Sequence, residues 1–282
     1  MLRILATIFA ALLGLCFGSF LNVCLSRWPV GESIVHPRSH CRGCGRTLAW
    51  WENVPLVSWI ALGGRCRGCG AWISVRYPLV EAAVALLWGA VAFMSWHAFL
   101  PLAYAIGLMF YFWVVVGLAV LDAEHLWLPD AMTLTGAAVG FVWWLIQGEQ
   151  VGWSLHMPAD PWGDAKPIGM RLLAIATAAG IILLVRWIYW LIRRREGLGL
   201  GDAKLMAMLA AWLGLPGVLL SLFLGVVLGA LYAVTTLAVR FRRGEGPWLT
   251  SRLPLGTFLC IGGIVSALWG EQIIAAYLGL FP

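Results

Sequence analysis

The sequence predicts an all-α, multi-pass membrane protein. It has about eight transmembrane helices, one of them short, and a cytoplasmic four-cysteine loop of zinc-ribbon-like spacing. Three observations carry this. Of the 282 residues, 62% are hydrophobic and 11% charged, whereas about a quarter of a soluble domain is charged. The apolar residues gather in runs of about 17 to 25, the length an α-helix needs to cross a hydrocarbon core of about 30 Å. Two Cys-x-x-Cys pairs occupy a long polar stretch between the first two runs.

The runs are 4–26, 78–97, 101–121, 131–147, 170–192, 218–239 and 255–280. The first is too long for the apolar core of a signal peptide, and no A-x-A site followed by a mature domain is apparent, so it reads as a retained helix. An eighth run, 203–214, reaches only about 18 Å at 1.5 Å per residue, and Gly214, Pro216 and Gly217 end it. It reads as a short or half-spanning helix tucked under its neighbours. The Pro-, Gly- and Asp-rich segment 148–168 is the largest outward loop and holds no cluster assignable to chemistry. No sequence repeat is evident.

Charge sets the orientation. With 27–77 in the cytoplasm, fifteen of the 19 Lys and Arg fall in the cytoplasmic stretches 27–77, 193–204 and 240–252. The reverse orientation inverts the positive-inside bias. The net charge of +6 therefore marks a membrane face rather than a nucleic-acid partner. Both termini face outward, and the polar loop, Asp122 and Asp202 share the cytoplasmic face.

Those two acids are the candidate catalytic residues. Asp122 lies in LAVLDAEHLWLPD and Asp202 in GLGLGDAKL, each where an apolar run meets a polar stretch. Carboxylates at membrane depth are costly and mark function. A negative charge at a helix C-terminus is unfavourable, so local stability does not explain Asp122. Asp202 reads as an N-cap that is also catalytic, with the glycines before it permitting close approach of a peptide. Two carboxylates a few Å apart share one proton and titrate as a pair, the arrangement of an aspartic protease. Glu124 and His125 read as solvated, Asp130 as the N-cap of the next helix, and Glu81 as a partner for a loop arginine.

Cys41-Arg-Gly-Cys44 and Cys66-Arg-Gly-Cys69 are spaced as a zinc site. Two disulfides conflict with a reducing compartment. A redox pair lacks its βαβ context, and four thiolates leave no open position for catalytic zinc. A closed structural Zn²⁺ site remains, folding a loop too small to fold alone. Cys16, Cys24 and Cys260 read as buried apolar residues of the helices.

At this point the residues resemble a known family. GSFLNVCLSRWP, HPRSHCRGC, NVPLVSWIALGGRCRGC, ISVRYPLVE, LDAEHLWLPD, GLGLGDAKLMAMLAAWLG and LPLGTFL are similar, in order, to the motifs of type IV prepilin peptidases. The resemblance covers nearly the whole chain. It implies an inner-membrane enzyme that removes the basic leader of prepilins, or of type II secretion pseudopilins, on the cytoplasmic side. It also implies a second activity, methylation of the new amino terminus with S-adenosylmethionine, because members that only remove leaders can lack the cysteine loop. The catalytic pair falls on Asp122 and Asp202 and the tetrad on Cys41, Cys44, Cys66 and Cys69. Gly64 and Arg65 are candidates for the methyl donor's site. Residues 1–27 are then the first membrane helix, 28–77 the zinc loop and methyltransferase region, and 78–282 the peptidase domain.

Two departures stand out. The carboxy-terminal motif, usually P-F-G-P-F, reads Pro254-Leu255-Gly256-Thr257-Phe258 here, and Arg42 replaces a proline common after the first cysteine. Neither is expected to touch the aspartates or the thiolates. Presenilin-type proteases also carry G-x-G-D, but here Leu121 rather than tyrosine precedes the first aspartate, and the cysteine loop is foreign to them. A non-enzymatic zinc scaffold and a transporter are the readings from other classes. A transporter needs polar residues through the full membrane depth, and here they gather at one face.

Overall fold

The structure is a computed structural model that describes residues 1–97, 101–147, 166–195, 199–242 and 253–280. Most of the loop expected over 148–168, together with Arg243 and Arg252, lies outside them. The long helices are α1 (Leu2–Arg27), α3 (Arg76–His97), α4 (Leu102–His125), α5 (Asp130–Gln147), α6 (Lys166–Arg193), α7 (Leu200–Arg242) and α8 (Leu255–Leu278), with a short α2 (Val57–Ala61) in the polar loop. Six of them are long and apolar enough to cross a membrane, and α5 is a shorter apolar helix over Asp130–Ile146. The chain is a multi-pass membrane protein. Among the described residues β-pairing is confined to two isolated bridges, His40 with Thr47 and Arg65 with Trp72.

The chain forms two compact units, Met1–Gly117 and Leu118–Pro282. In the first, α1 packs along α3 through Gly14 and Gly18, one helical turn apart. A Cβ on Gly14 would lie 2.8 Å from Ala85 Cα, and one on Gly18 would lie 2.7 Å from Glu81 Cα. Such small residues let helix backbones approach closely in lipid, where packing replaces the hydrophobic effect as the driving force. Because the obstacle is backbone, Gly18→Ala must push the helices apart. We expect a lower unfolding midpoint in detergent, corresponding to about 1–3 kcal/mol; an unchanged midpoint would show that the helix contact is loose. The Trp113 indole N–H donates to the Phe17 carbonyl at 3.1 Å, tying α4 to α1.

In the second unit α7 is broken at Gly214, whose φ of +68° and ψ of −175° suit glycine alone; Pro216 follows. The chain reverses there. Gly201 lies against Leu128, and Leu128 against Gly256 at the start of α8, so α7 begins beside that end. Beyond the break, Ser266 of α8 donates to Gly217 at 2.8 Å, and Gly229 has returned to Phe258. Counting the two halves of α7, the long segments among the described residues are the eight expected.

The first half differs from expectation in its setting. Ala203, Leu205, Met206, Met208, Leu209, Ala210, Ala211, Trp212 and Leu213 are all buried. It is the apolar core of the unit, held by the Trp212 indole N–H to Gly136 O at 2.8 Å and by Arg171 to Ala210 O at 3.3 Å. It is short because Gly214 turns it back.

Candidate active site and metal centre

Asp122 stands on the last turn of α4 and Asp202 on the first turn of α7. Both are buried, at 5% and 9% exposure, although each is within three residues of a helix end. Asp122 is held from outside its own helix. The Thr257 backbone N–H donates to its Oδ2 at 2.7 Å, and the Thr257 hydroxyl reaches the same oxygen at 3.1 Å. Thr257 is the third residue of α8, one of the first-turn N–H groups that a helix cannot satisfy internally. Pro254 before it supplies no side-chain cap. Asp122 therefore caps α8 in trans, with the partial positive end of that helix facing its carboxylate.

Asp202 accepts the Gly199 N–H through Oδ2 at 3.2 Å. This corrects the sequence expectation: Asp202 is the third helical residue reaching back to the cap position, half of a capping box, rather than the N-cap itself. Leu128 links the two acids sterically. A Cβ on Gly201 would lie 3.1 Å from Leu128 Cβ, and one on Gly256 would lie 3.0 Å from Leu128 Cδ1 and 2.9 Å from Asp122 Cγ. Asp202 lies within electrostatic reach of Asp122. Buried Cys260, one turn further along α8, lies within reach of both. Two carboxylates on separate helices thus occupy one buried corner of the second unit. Lys204 pairs with Asp130 at 2.5 Å, on the exposed side.

The four expected cysteines also converge. The Sγ atoms of Cys41, Cys44, Cys66 and Cys69 lie within 4.8 Å of one another, and Cys41 and Cys69 are 3.8 Å apart. A tetrahedron with metal–sulfur bonds of about 2.3 Å has edges of about 3.8 Å, whereas a disulfide needs about 2.05 Å. The cluster could hold a metal ion, and the soft donor set matches zinc chemistry.

The two knuckles share one hydrogen-bond pattern. Gly43 N–H reaches Cys41 Sγ at 3.3 Å and Gly68 N–H reaches Cys66 Sγ at 3.4 Å. Gly45 N–H closes on Cys41 O, and Gly70 N–H on Cys66 O. Gly45 and Gly70 both take φ of +70°, the left-handed turn that favours glycine. The CRGCG unit is therefore a short structural repeat, which the sequence reading missed. The Cys69 and Gly68 N–H groups pull the Cys66 thiol down to about 6. At Cys69 the Ala71 N–H acts the same way but is outweighed by the Cys44 thiol and burial, which push it to about 11. Four thiols this close cannot all ionise unaided, and a divalent cation removes the conflict.

Arg46 braces the knuckles, donating to Glu52 at 2.6 Å. The Arg46 guanidinium, then the Ala49 N–H, hold the Glu52 carboxyl below its usual range. That contribution is present near neutrality and is lost as pH falls through the lowered value. The loop is tied to α3 by the Leu56 N–H, which donates to buried Glu81 at 2.8 Å. Glu81 thus takes a backbone partner where a loop arginine was expected. Gly64 has φ of +66°, and a Cβ there would lie 2.9 Å from the Trp59 ring. The space beside Gly64 is filled by this chain's own indole, so that glycine serves its own turn.

Comparison with known proteins places this arrangement. The bacterial peptidase A24 N-terminal domain matches residues 12–95, and the type IV leader peptidase family matches 108–234. A prepilin leader peptidase/N-methyltransferase of Pseudomonas aeruginosa is 34% identical over 95% of this chain and 91% of its own length. The chain belongs to the type IV leader peptidase family. A relative of the same name from Dichelobacter nodosus is 34% identical over 99% of this chain and 96% of its own. One from Myxococcus xanthus is 40% identical over 82% of this chain, which spans only 64% of that longer protein. No solved structure matches.

Within the leader peptidase frame, one departure from the usual motif bears directly on the site. Thr257, where the carboxy-terminal motif usually has proline, was expected not to touch the aspartates. It donates both its N–H and its hydroxyl to Asp122. The sequence held a signal for this, since a residue just inside a helix start without a capping side chain needs an acceptor from elsewhere.

Proposed function

We propose that this protein removes the basic leader of a type IV prepilin or type II secretion pseudopilin at the cytoplasmic face of the bacterial inner membrane, and then methylates the new amino terminus. The observations that support the reading are that Asp122 and Asp202 are buried on separate helices and within electrostatic reach of one another, in a chain whose relatives bear that name. The peptidase role belongs to the part that carries the two acids, within 78–282, and the methyltransferase role to the loop 28–77.

One proton is shared by the pair. The ionised member takes a proton from water as its oxygen attacks the scissile carbonyl, and the protonated member donates to the carbonyl oxygen. The tetrahedral intermediate then collapses, and the leaving amine recovers a proton from the pair. A substrate with an apolar helix in lipid and a basic leader in the cytoplasm brings its scissile bond to a site at this depth.

Cys41, Cys44, Cys66 and Cys69 hold a structural Zn²⁺ in this reading. The ion crosslinks a loop with little core of its own, and no catalytic step passes through it. S-adenosylmethionine supplies the methyl group. Arg65, exposed next to the second knuckle, is suited to pairing with that donor's carboxylate, and Gly64 shapes the turn that presents it.

Incubation of the purified protein with a prepilin and labelled S-adenosylmethionine, followed by intact mass of the product, tests both activities. The expected product has lost its leader and gained one methyl group. A prepilin returned at its original mass would refute the peptidase reading, and cleavage without a methyl would refute the second activity.

A further inference from the structure

We propose that Thr257 is a positioning residue for cleavage, holding Asp122 by Oδ2 in both protonation states so that its other oxygen, Oδ1, serves the reaction. The inference rests on the reading of Asp122 as a catalytic acid.

The geometry makes the argument. Thr257 Oγ1 lies 3.1 Å from Asp122 Oδ2 and 3.0 Å from Ala119 O, and its own N–H lies 2.7 Å from the same Oδ2. A hydroxyl has one proton to give and lone pairs to receive with. When Asp122 is ionised, Oδ2 accepts the N–H and the hydroxyl. When the reaction places its proton on Oδ1, Oδ2 remains an acceptor and keeps both donors, with Ala119 O, which can only accept, as the hydroxyl's second partner. Both arrangements use the heavy-atom positions seen here. A member of a proton-sharing pair must change protonation state within each turnover. Two donors aimed at Oδ2 disfavour a proton there, so the exchanged proton is directed to Oδ1.

The remaining surroundings prevent the carboxyl from turning away. The Gly256 backbone lies against it, such that a Cβ there would meet Cγ at 2.9 Å. Both donors of Thr257 converge on Oδ2, which leaves Oδ1 outside the Thr257 clamp, and the Gly256 N–H is a further backbone donor to the same carboxyl. Ala119, Asp122, Gly256 and Thr257 come from only two short stretches, the end of α4 and the start of α8. The clamp is therefore set by how these two helix ends meet.

The test is steady-state leader cleavage by the full-length, metal-loaded chain carrying Thr257→Val, which keeps the N–H and the shape but deletes the hydroxyl. Thr257→Ser and Asp122→Asn run beside it. Loss of one hydrogen bond to a charged group predicts a fall in kcat of about tenfold, with KM and metal content unchanged. Serine should restore most of the rate. A merely structural threonine would instead leave kcat intact, or leave Val and Ser equally impaired; either result overturns the inference. If Thr257→Val does not accumulate as folded protein, Thr257→Ala is held to the same criteria. Asp122→Asn separates the two levels. Cleavage by that variant sinks the catalytic assignment itself, whereas an inert Asp122→Asn beside a fully active Thr257→Val sinks only the clamp.

Discussion

Asp122→Asn and Asp202→Asn should each lower leader release by at least about a thousandfold, the scale of losing positioned acid–base catalysis. Both variants should remain inserted and metal-loaded. The amide is nearly the size of the carboxylate. Its oxygen can still accept the Thr257 N–H that now reaches Asp122 at 2.7 Å, or the Gly199 N–H that reaches Asp202 at 3.2 Å. What asparagine cannot do is take a proton from water or return one to the leaving amine. Because the two acids act on one proton, the double variant should be no slower than the slower single variant. The check is single-turnover cleavage of a prepilin followed by intact mass, beside a methylation assay on an already mature amino terminus. That assay should be unaffected, since the methyl-transfer region is assigned to the first unit.

Cys41→Ser should remove the metal and unfold the loop. Its described secondary structure amounts to two isolated bridges, two 3₁₀ turns and the five-residue α2, far too little for a fold of its own. Structural zinc contributes on the order of 10–16 kcal/mol in small domains of this kind, so loss of one thiolate is decisive for the loop. We expect metal content to fall from one ion per chain to near zero, the segment between Ser39 and Ser74 to become protease-sensitive, and methyl transfer to be lost. Leader cleavage should persist in large part, because Asp122, Asp202 and Thr257 all belong to the other unit. Purified wild-type protein without zinc or a comparable ion would refute the metal reading.

Much of this was legible in the residues alone. Apolar runs of membrane-spanning length foretold the helices, because their residues must face lipid or one another whatever their partners. The two Cys-x-x-Cys pairs foretold their convergence, because a turn of that length brings two sulfurs to one point. The two acids stood out because buried charge is costly. What escaped depended on contacts between distant segments or on backbone angles. The half of α7 before Gly214 has the composition of any membrane helix, and only tertiary packing makes it the core. Asp202 sits three residues further into its helix than the N-cap position, a difference set by where Gly199 begins the turn. Thr257 passed for a neutral departure because its partner lies on another helix, 135 positions away in sequence. The CRGCG repeat is too short to detect as a sequence period, but its two copies share the same φ and the same hydrogen bonds.

The central claim is that the Asp122 and Asp202 carboxylates act on the same scissile peptide. It is tested most directly by an experimental structure of the protein bound to a non-cleavable prepilin analogue whose scissile amide is replaced by a hydroxyl-bearing carbon. The account predicts that hydroxyl within hydrogen-bond reach, about 2.6–3.2 Å, of one oxygen from each aspartate, Oδ1 in the case of Asp122. A hydroxyl held by only one of the two, or lodged elsewhere with the carboxylates apart, would contradict it.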